Sequence, residues 1–71
     1  MNTAKITATE PVNQWAFRQK WVGDNQPDIL EAIADHMRNG PNELMVQNLS
    51  IFGAADGKHY AIVDYLIVQK V

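Results

Sequence analysis

Two histidines, a single serine and no cysteine are the first residues to weigh for catalysis or metal binding. A metal site needs three or four convergent ligands, usually with close pairs such as i, i+4 on a helix. Neither His36 nor His59 has a histidine or carboxylate neighbour at such a spacing. His36 falls at the margin of an apolar helix stripe and His59 opens a strand beside a turn, so both read as boundary residues with partly solvated rings. Ser50 is the one serine, which leaves nucleophilic catalysis almost without candidates. The glycines Gly23, Gly40, Gly53 and Gly57 stand singly at turns and build no phosphate-cradling loop. An enzyme would have to be assembled across subunits from His36, His59 and Asp64. The chain is therefore read as non-enzymatic, with no catalytic, metal or cofactor site expected.

Asp64 interrupts a strand that is otherwise apolar, and an unpaired buried carboxylate is costly. It is expected to pair across strands with Arg18 or Lys20, to reach the wet rim of a sheet, or to mark a polar site at an interface. Trp15, Phe17 and Trp21 suggest a stacking platform for bases, with Arg18 and Lys20 as anion contacts. Their parity speaks against it. In an extended chain the aromatics share one side and the cations point to the other, so packing in a core or interface is the stronger reading.

The elements that position these residues follow from periodicity. KITATE (5–10) carries β-branched residues and suggests a short edge strand or arm, interrupted at Pro11 and Asn13. In 13–22, Trp15, Phe17, Gln19 and Trp21 alternate with Ala16, Arg18, Lys20 and Val22, the pattern of a half-buried strand. A turn at 23–26 leads into a helix of about three turns with Asn25 as N-cap and Pro27 in its first turn. Ile29, Leu30, Ile33 and Met37 form its apolar stripe. Gly40, in a left-handed conformation, and Pro41 should end it. The next strand, ELMVQNLSIF, changes parity midway and needs a bulge near Asn48. Asp56-Gly57 marks a hairpin connection. The last strand is apolar on both sides, with Ala61, Val63, Tyr65 and Ile67 on one and Tyr60, Ile62, Leu66 and Val68 on the other.

These elements define a small α+β fold: an antiparallel three- or four-stranded sheet with one helix on one face, in the order β-β-α-β-β or β-α-β-β. In order and length it resembles small oligomeric sheet proteins such as dodecins, but no flavin-site residue of that family is carried over. Seventy-one residues make one domain, 1–71, which is read as a complete small protein. No apolar run approaches a membrane span and no secretory signal opens the chain. Together with the lack of cysteine, this predicts a cytoplasmic protein without membrane contact. A net charge of −2 does not favour nucleic acid as a partner.

Domains of this size rarely gain more than ~3–5 kcal/mol from their core alone, and one helix covers one face of a sheet. The uncovered face predicts self-association, with Trp15, Phe17, Trp21, Tyr60, Ile62, Asp64, Leu66 and Val68 as interface residues. The functional expectation is a protein-binding or regulatory module acting as a homo-oligomer, its partners being itself and another protein. The alternative is a small-ligand or single-stranded nucleic-acid binder using aromatics in a dimer crevice.

Overall fold

Alternation along one strand and capping along one helix account for most of the architecture. The computed structural model describes residues 2–70. Its elements are β1 (Lys5–Asn13), β2 (Ala16–Gly23), α1 (Gln26–Asn39), β3 (Glu43–Gly53) and β4 (His59–Gln69). The four strands form one antiparallel sheet in the order β1-β2-β4-β3, and α1 packs on one face across β2, β4 and β3. The fold is α+β, in the five-element order.

β4 lies inside the sheet because both of its faces are apolar. Ala61, Val63 and Tyr65 are buried under the helix beside Trp21 of β2, and Ile29 and Ile33 of α1 close on them. Fully burying a side chain such as Ile29 or Val63 is worth ~1.5–3 kcal/mol, so this small cluster carries much of the stability. β3 reaches the same face only through a register shift between Val46 and Asn48. The shift places Leu44 and Val46 opposite Ile67 and Tyr65, and Leu49 and Ile51 opposite Val63 and Ala61. This is the bulge that the parity change in the sequence demands.

The helix begins as expected. Asn25 is extended, and its side-chain oxygen accepts from the Asp28 amide at 2.8 Å. At the other end Gly40 donates to the His36 carbonyl at 3.1 Å. However, Gly40 has φ −77° and ψ 160°, an extended rather than left-handed conformation. Pro41 is the reason, since a residue before proline is pushed toward extended backbone. Leu30 also departs from expectation. It lies off the buried stripe and stays 46% exposed.

Two further differences concern the first hairpin. β1 does not stop at Pro11 but continues to Asn13, with register shifts after Ile6 and Pro11. An edge strand tolerates proline, because a missing N–H on its outer side breaks no ladder bond. Trp15 does not extend β2. It occupies the turn, where its amide donates to Asn13 Oδ1 at 2.7 Å and its carbonyl accepts from the Ile67 amide at 2.7 Å.

At Gly23, β2 passes close to the helix. A Cβ at this position would lie 2.8 Å from Ile29 Cγ1 and 3.2 Å from the Ala4 Cβ. Gly23→Ala should therefore cost ~1–3 kcal/mol by overpacking. Combined with Ile29→Ala, it should cost less than the sum of the two single changes, because the second removes the obstruction. Urea denaturation of the four chains in the cycle measures this, and simple additivity would contradict the close approach.

Candidate functional site

The helix-free face can be read as rows crossing the strands, since directly paired residues share a face. One row runs Glu10, Arg18, Asp64, Asn48 from β1 to β3. The next runs Ala8, Lys20, Ile62, Ser50. On either side lie apolar rows: Val22, Tyr60 and Phe52 toward one end, and Ala16, Leu66 and Met45 toward the other. The second face is thus not the continuous apolar surface that β4 alone suggests. A polar belt divides it.

At the centre of the belt Arg18 grips Asp64 with two bonds, Nε to Oδ1 at 2.7 Å and Nη2 to Oδ2 at 3.1 Å. Lys20 Nζ lies 3.6 Å from Glu10 Oε1. The hydrogen bond from Arg18, helped by its charge, holds the Asp64 carboxyl below the ordinary aspartate range, and Asp64 raises Arg18 in return. The sequence offered Arg18 or Lys20 as the partner of Asp64, and the geometry selects Arg18. At the Phe52 end the Tyr60 ring stacks on Phe52 at 6.0 Å, and its hydroxyl donates to Asp56 Oδ2 at 2.6 Å. That bond lowers Asp56 and raises Tyr60.

The eight residues assigned to an interface do not share one surface. Tyr60, Ile62, Asp64, Leu66 and Val68 of β4 lie on the open face, interleaved with the buried Ala61, Val63 and Tyr65. Trp21 is buried beneath α1, and Phe17 packs its ring 4.9 Å from that of Tyr65. Trp15 stands at the hairpin tip, with Lys70 Nζ 4.6 Å above its ring. The cations of β2 do point away from its aromatics, which removes a mixed stacking platform from this strand. Exposed apolar side chains gather instead along β3: Met45 (51% exposed) and Phe52 (46%) on the open face, Val46 and Leu49 (39%) on the helix face.

His36, His59 and Asp64 are not brought together within the chain. His36 faces Gln19 and the rings of Trp21 and Tyr65. His59 pairs with Gly23 and Gly53 at the end of the sheet where α1 begins. Tyr65 lies six residue steps along β4 from His59, roughly 20 Å at ~3.3 Å per residue. Asp64 lies on the opposite face. Among the described residues, no group of three histidine, cysteine or acidic side chains could hold a metal ion.

Sequence reasoning passed over Gln19. It is only 4% exposed; its Nε2 lies 3.2 Å from His36 Nε2, and its Oε1 has no partner. The signal was there in its parity, between Phe17 and Trp21. Trp21 Nε1 and the Tyr65 hydroxyl are likewise buried without hydrogen-bond geometry to a partner. Burial pushes the Tyr65 hydroxyl up, and the nearby Trp21 opposes that shift. A shallow cavity of ≈ 390 Å³ opens beside His36, between the N-terminal segment and the end of α1, with Asn2, Asp35 and Asn39 at its wall.

Comparison with protein-family models, curated proteins and solved structures found no match for this chain. No helix among the described residues is long and apolar enough to cross a membrane.

The ion pair predicts a pH response. Because the folded state depresses Asp64, its contribution is complete above the unfolded aspartate pKa and disappears as pH falls through the lower folded value. The Asp64 carboxyl should therefore titrate by NMR below the ordinary aspartate midpoint. Arg18→Gln should move that midpoint up. An unchanged midpoint in the variant would show that the pair does not set it.

Proposed function

We propose that this chain is a small non-enzymatic protein-binding module, regulatory or accessory in role, that acts as a homo-oligomer. The observation that carries this reading is the concentration of exposed apolar side chains on both faces of β3, next to an unpaired sheet edge. Scattered surface apolar residues need no explanation, whereas a contiguous group on one flank marks an interaction surface. A few hundred Å² of such surface per chain would contribute on the order of 10 kcal/mol at ~25 cal/mol per Å². That is comparable with the cost of association, so backbone pairing or polar contacts must supply the surplus. The separation of His36, His59 and Asp64 supports the non-enzymatic reading. A cysteine-free chain suits a reducing, cytoplasmic compartment.

One observation favours a second reading, the small-ligand or single-stranded nucleic-acid binder. Trp15 is exposed at the hairpin tip with Lys70 over its ring, an arrangement able to take a flat anionic ligand. With Phe17 and Trp21 under the helix it is a single stacking point and not a platform, which makes this the weaker reading.

Sedimentation equilibrium of the purified chain across the micromolar range should show reversible self-association. A monomer at every concentration would rule out the homo-oligomeric module. Titration with oligonucleotides and nucleotides, read by tryptophan fluorescence with Trp15→Phe as control, should produce no Trp15-dependent quenching. Saturable quenching lost in Trp15→Phe would favour the second reading.

A further inference from the structure

The two edges of the sheet are built differently. β1 carries Lys5, Glu10, Pro11 and two register shifts, features that blunt an edge against pairing. β3 carries no charge and no proline from Leu44 to Phe52. Such a strand presents its free N–H and C=O groups without any device that repels another strand. Its helix-side flank is apolar, with Val46, Leu49 and Ile51, while on the open face Met45 and Phe52 stand at either end of the uncharged Asn48 and Ser50. On the helix side, the flank of α1 with Asp28 and Ala32 faces Asn2 and Ala4, and the exposed Leu30, roughly 200° around the helix from both, lies on the flank turned away from that segment.

We infer that two copies of this chain pair antiparallel, β3 against β3, across a two-fold axis perpendicular to the sheet. The inference rests on the homo-oligomeric reading and supplies its geometry. The occupant is a second copy because an antiparallel pair of identical strands is self-complementary. A perpendicular two-fold also keeps both helices on one side, so helix-side residues meet helix-side residues. The bulge at Gln47 divides β3, and face-matched pairing is longest over Asn48–Phe52, centred on Ser50. Leu49 then opposes Ile51 of the second copy, Asn48 opposes its Phe52, and the two Ser50 residues meet on the axis.

Charge argues for the edge over the open face. Stacking two open faces would withdraw Arg18, Asp64, Lys20 and Glu10 from water, and desolvating ion pairs is expensive. Pairing along β3 leaves the Arg18–Asp64 and Lys20–Glu10 pairs solvated, since they lie on β1, β2 and β4. The joined sheet has both outer edges formed by the guarded β1, which closes the assembly at two copies. A seam of this length falls at the small end of stable interfaces, below ~1,200 Å² in total, and micromolar dissociation is the expected strength.

The chain has no cysteine, so Ser50→Cys introduces a unique thiol on the axis. Under mild oxidation it should form a covalent dimer at once, whereas Val12→Cys on the β1 edge should not. In sedimentation equilibrium, Leu49→Lys should weaken association about tenfold or more by placing like charges at the seam, while Val12→Lys and Ile62→Lys should leave it unchanged. Amide hydrogen exchange of the unmodified chain provides the check that needs no variant to fold: protection within 48–52 should rise with protein concentration. A dimer broken by Ile62→Lys but indifferent to Leu49→Lys, with no Ser50→Cys crosslink, would overturn edge pairing and leave the homo-oligomeric module standing. A monomer at all concentrations would overturn both.

Discussion

Ile29 and Ile33 are the helix side chains removed from water, and the width of the rod that carries them constrains everything else. A helix with its side chains is ~10 Å across, whereas four strands at ~4.8 Å spacing are wider than that. Seated over Trp21, Ala61, Val63 and Tyr65, α1 roofs β2 and β4 and leaves the outer strands only partly covered. Ile6 on β1 and Val46 and Leu49 on β3 point to the helix side of the sheet, yet all remain exposed. No rearrangement of a helix of 14 residues would remove that deficit. It is a property of the element inventory.

The two flanks meet the deficit unequally. On the β1 side the N-terminal segment ties itself to the helix entry: Asn2 Nδ2 donates to the Asp28 carbonyl at 2.9 Å, Thr3 Oγ1 donates to Asp24 Oδ2 at 2.9 Å, and Ala4 packs on the core. On the other flank Leu30 of α1 stays exposed, as do Val46 and Leu49 of β3. The core also carries a polar cost, because Gln19 and His36 share one contact between them and Gln19 Oε1 has no partner. Each buried unsatisfied group costs ~1–3 kcal/mol, a large fraction of what a core of this size supplies. Stability is therefore spread thinly, and contacts at the β3 flank count for more than they would in a larger domain.

Much of this arrangement was legible in the residues. Parity in β2 placed Phe17 and Trp21 opposite Arg18 and Lys20. The shift of parity in ELMVQNLSIF called for the bulge, and a cross-strand cation was one of the three surroundings that Asp64 allowed. The features that were not legible depend on contacts distant in sequence. Pro11 looked like a terminator because its edge position could not be known before the strand order. Trp15 had the parity of its neighbours but belongs to the turn that Asn13 caps. Gly40 obeyed its neighbour Pro41 more strongly than the usual rule for helix ends. The divided open face was hidden because each row of its belt draws one residue from each of the four strands, and only the register aligns them.

That belt explains how a two-layer fold manages without a second roof. Glu10, Arg18 and Asp64 place charges in one row on three adjacent strands, and Lys20 adds another beside them. Their hydration keeps the middle of the open face wet at little cost, since exposed ion pairs are nearly neutral in energy. β3 contributes only Asn48 and Ser50 to the two polar rows, both uncharged. Charge thus protects three strands and stops short of the fourth. The surface left over from an undersized helix is thereby concentrated along Leu44–Phe52 of β3, an edge segment with no strand on its outer side and no charge to keep one away.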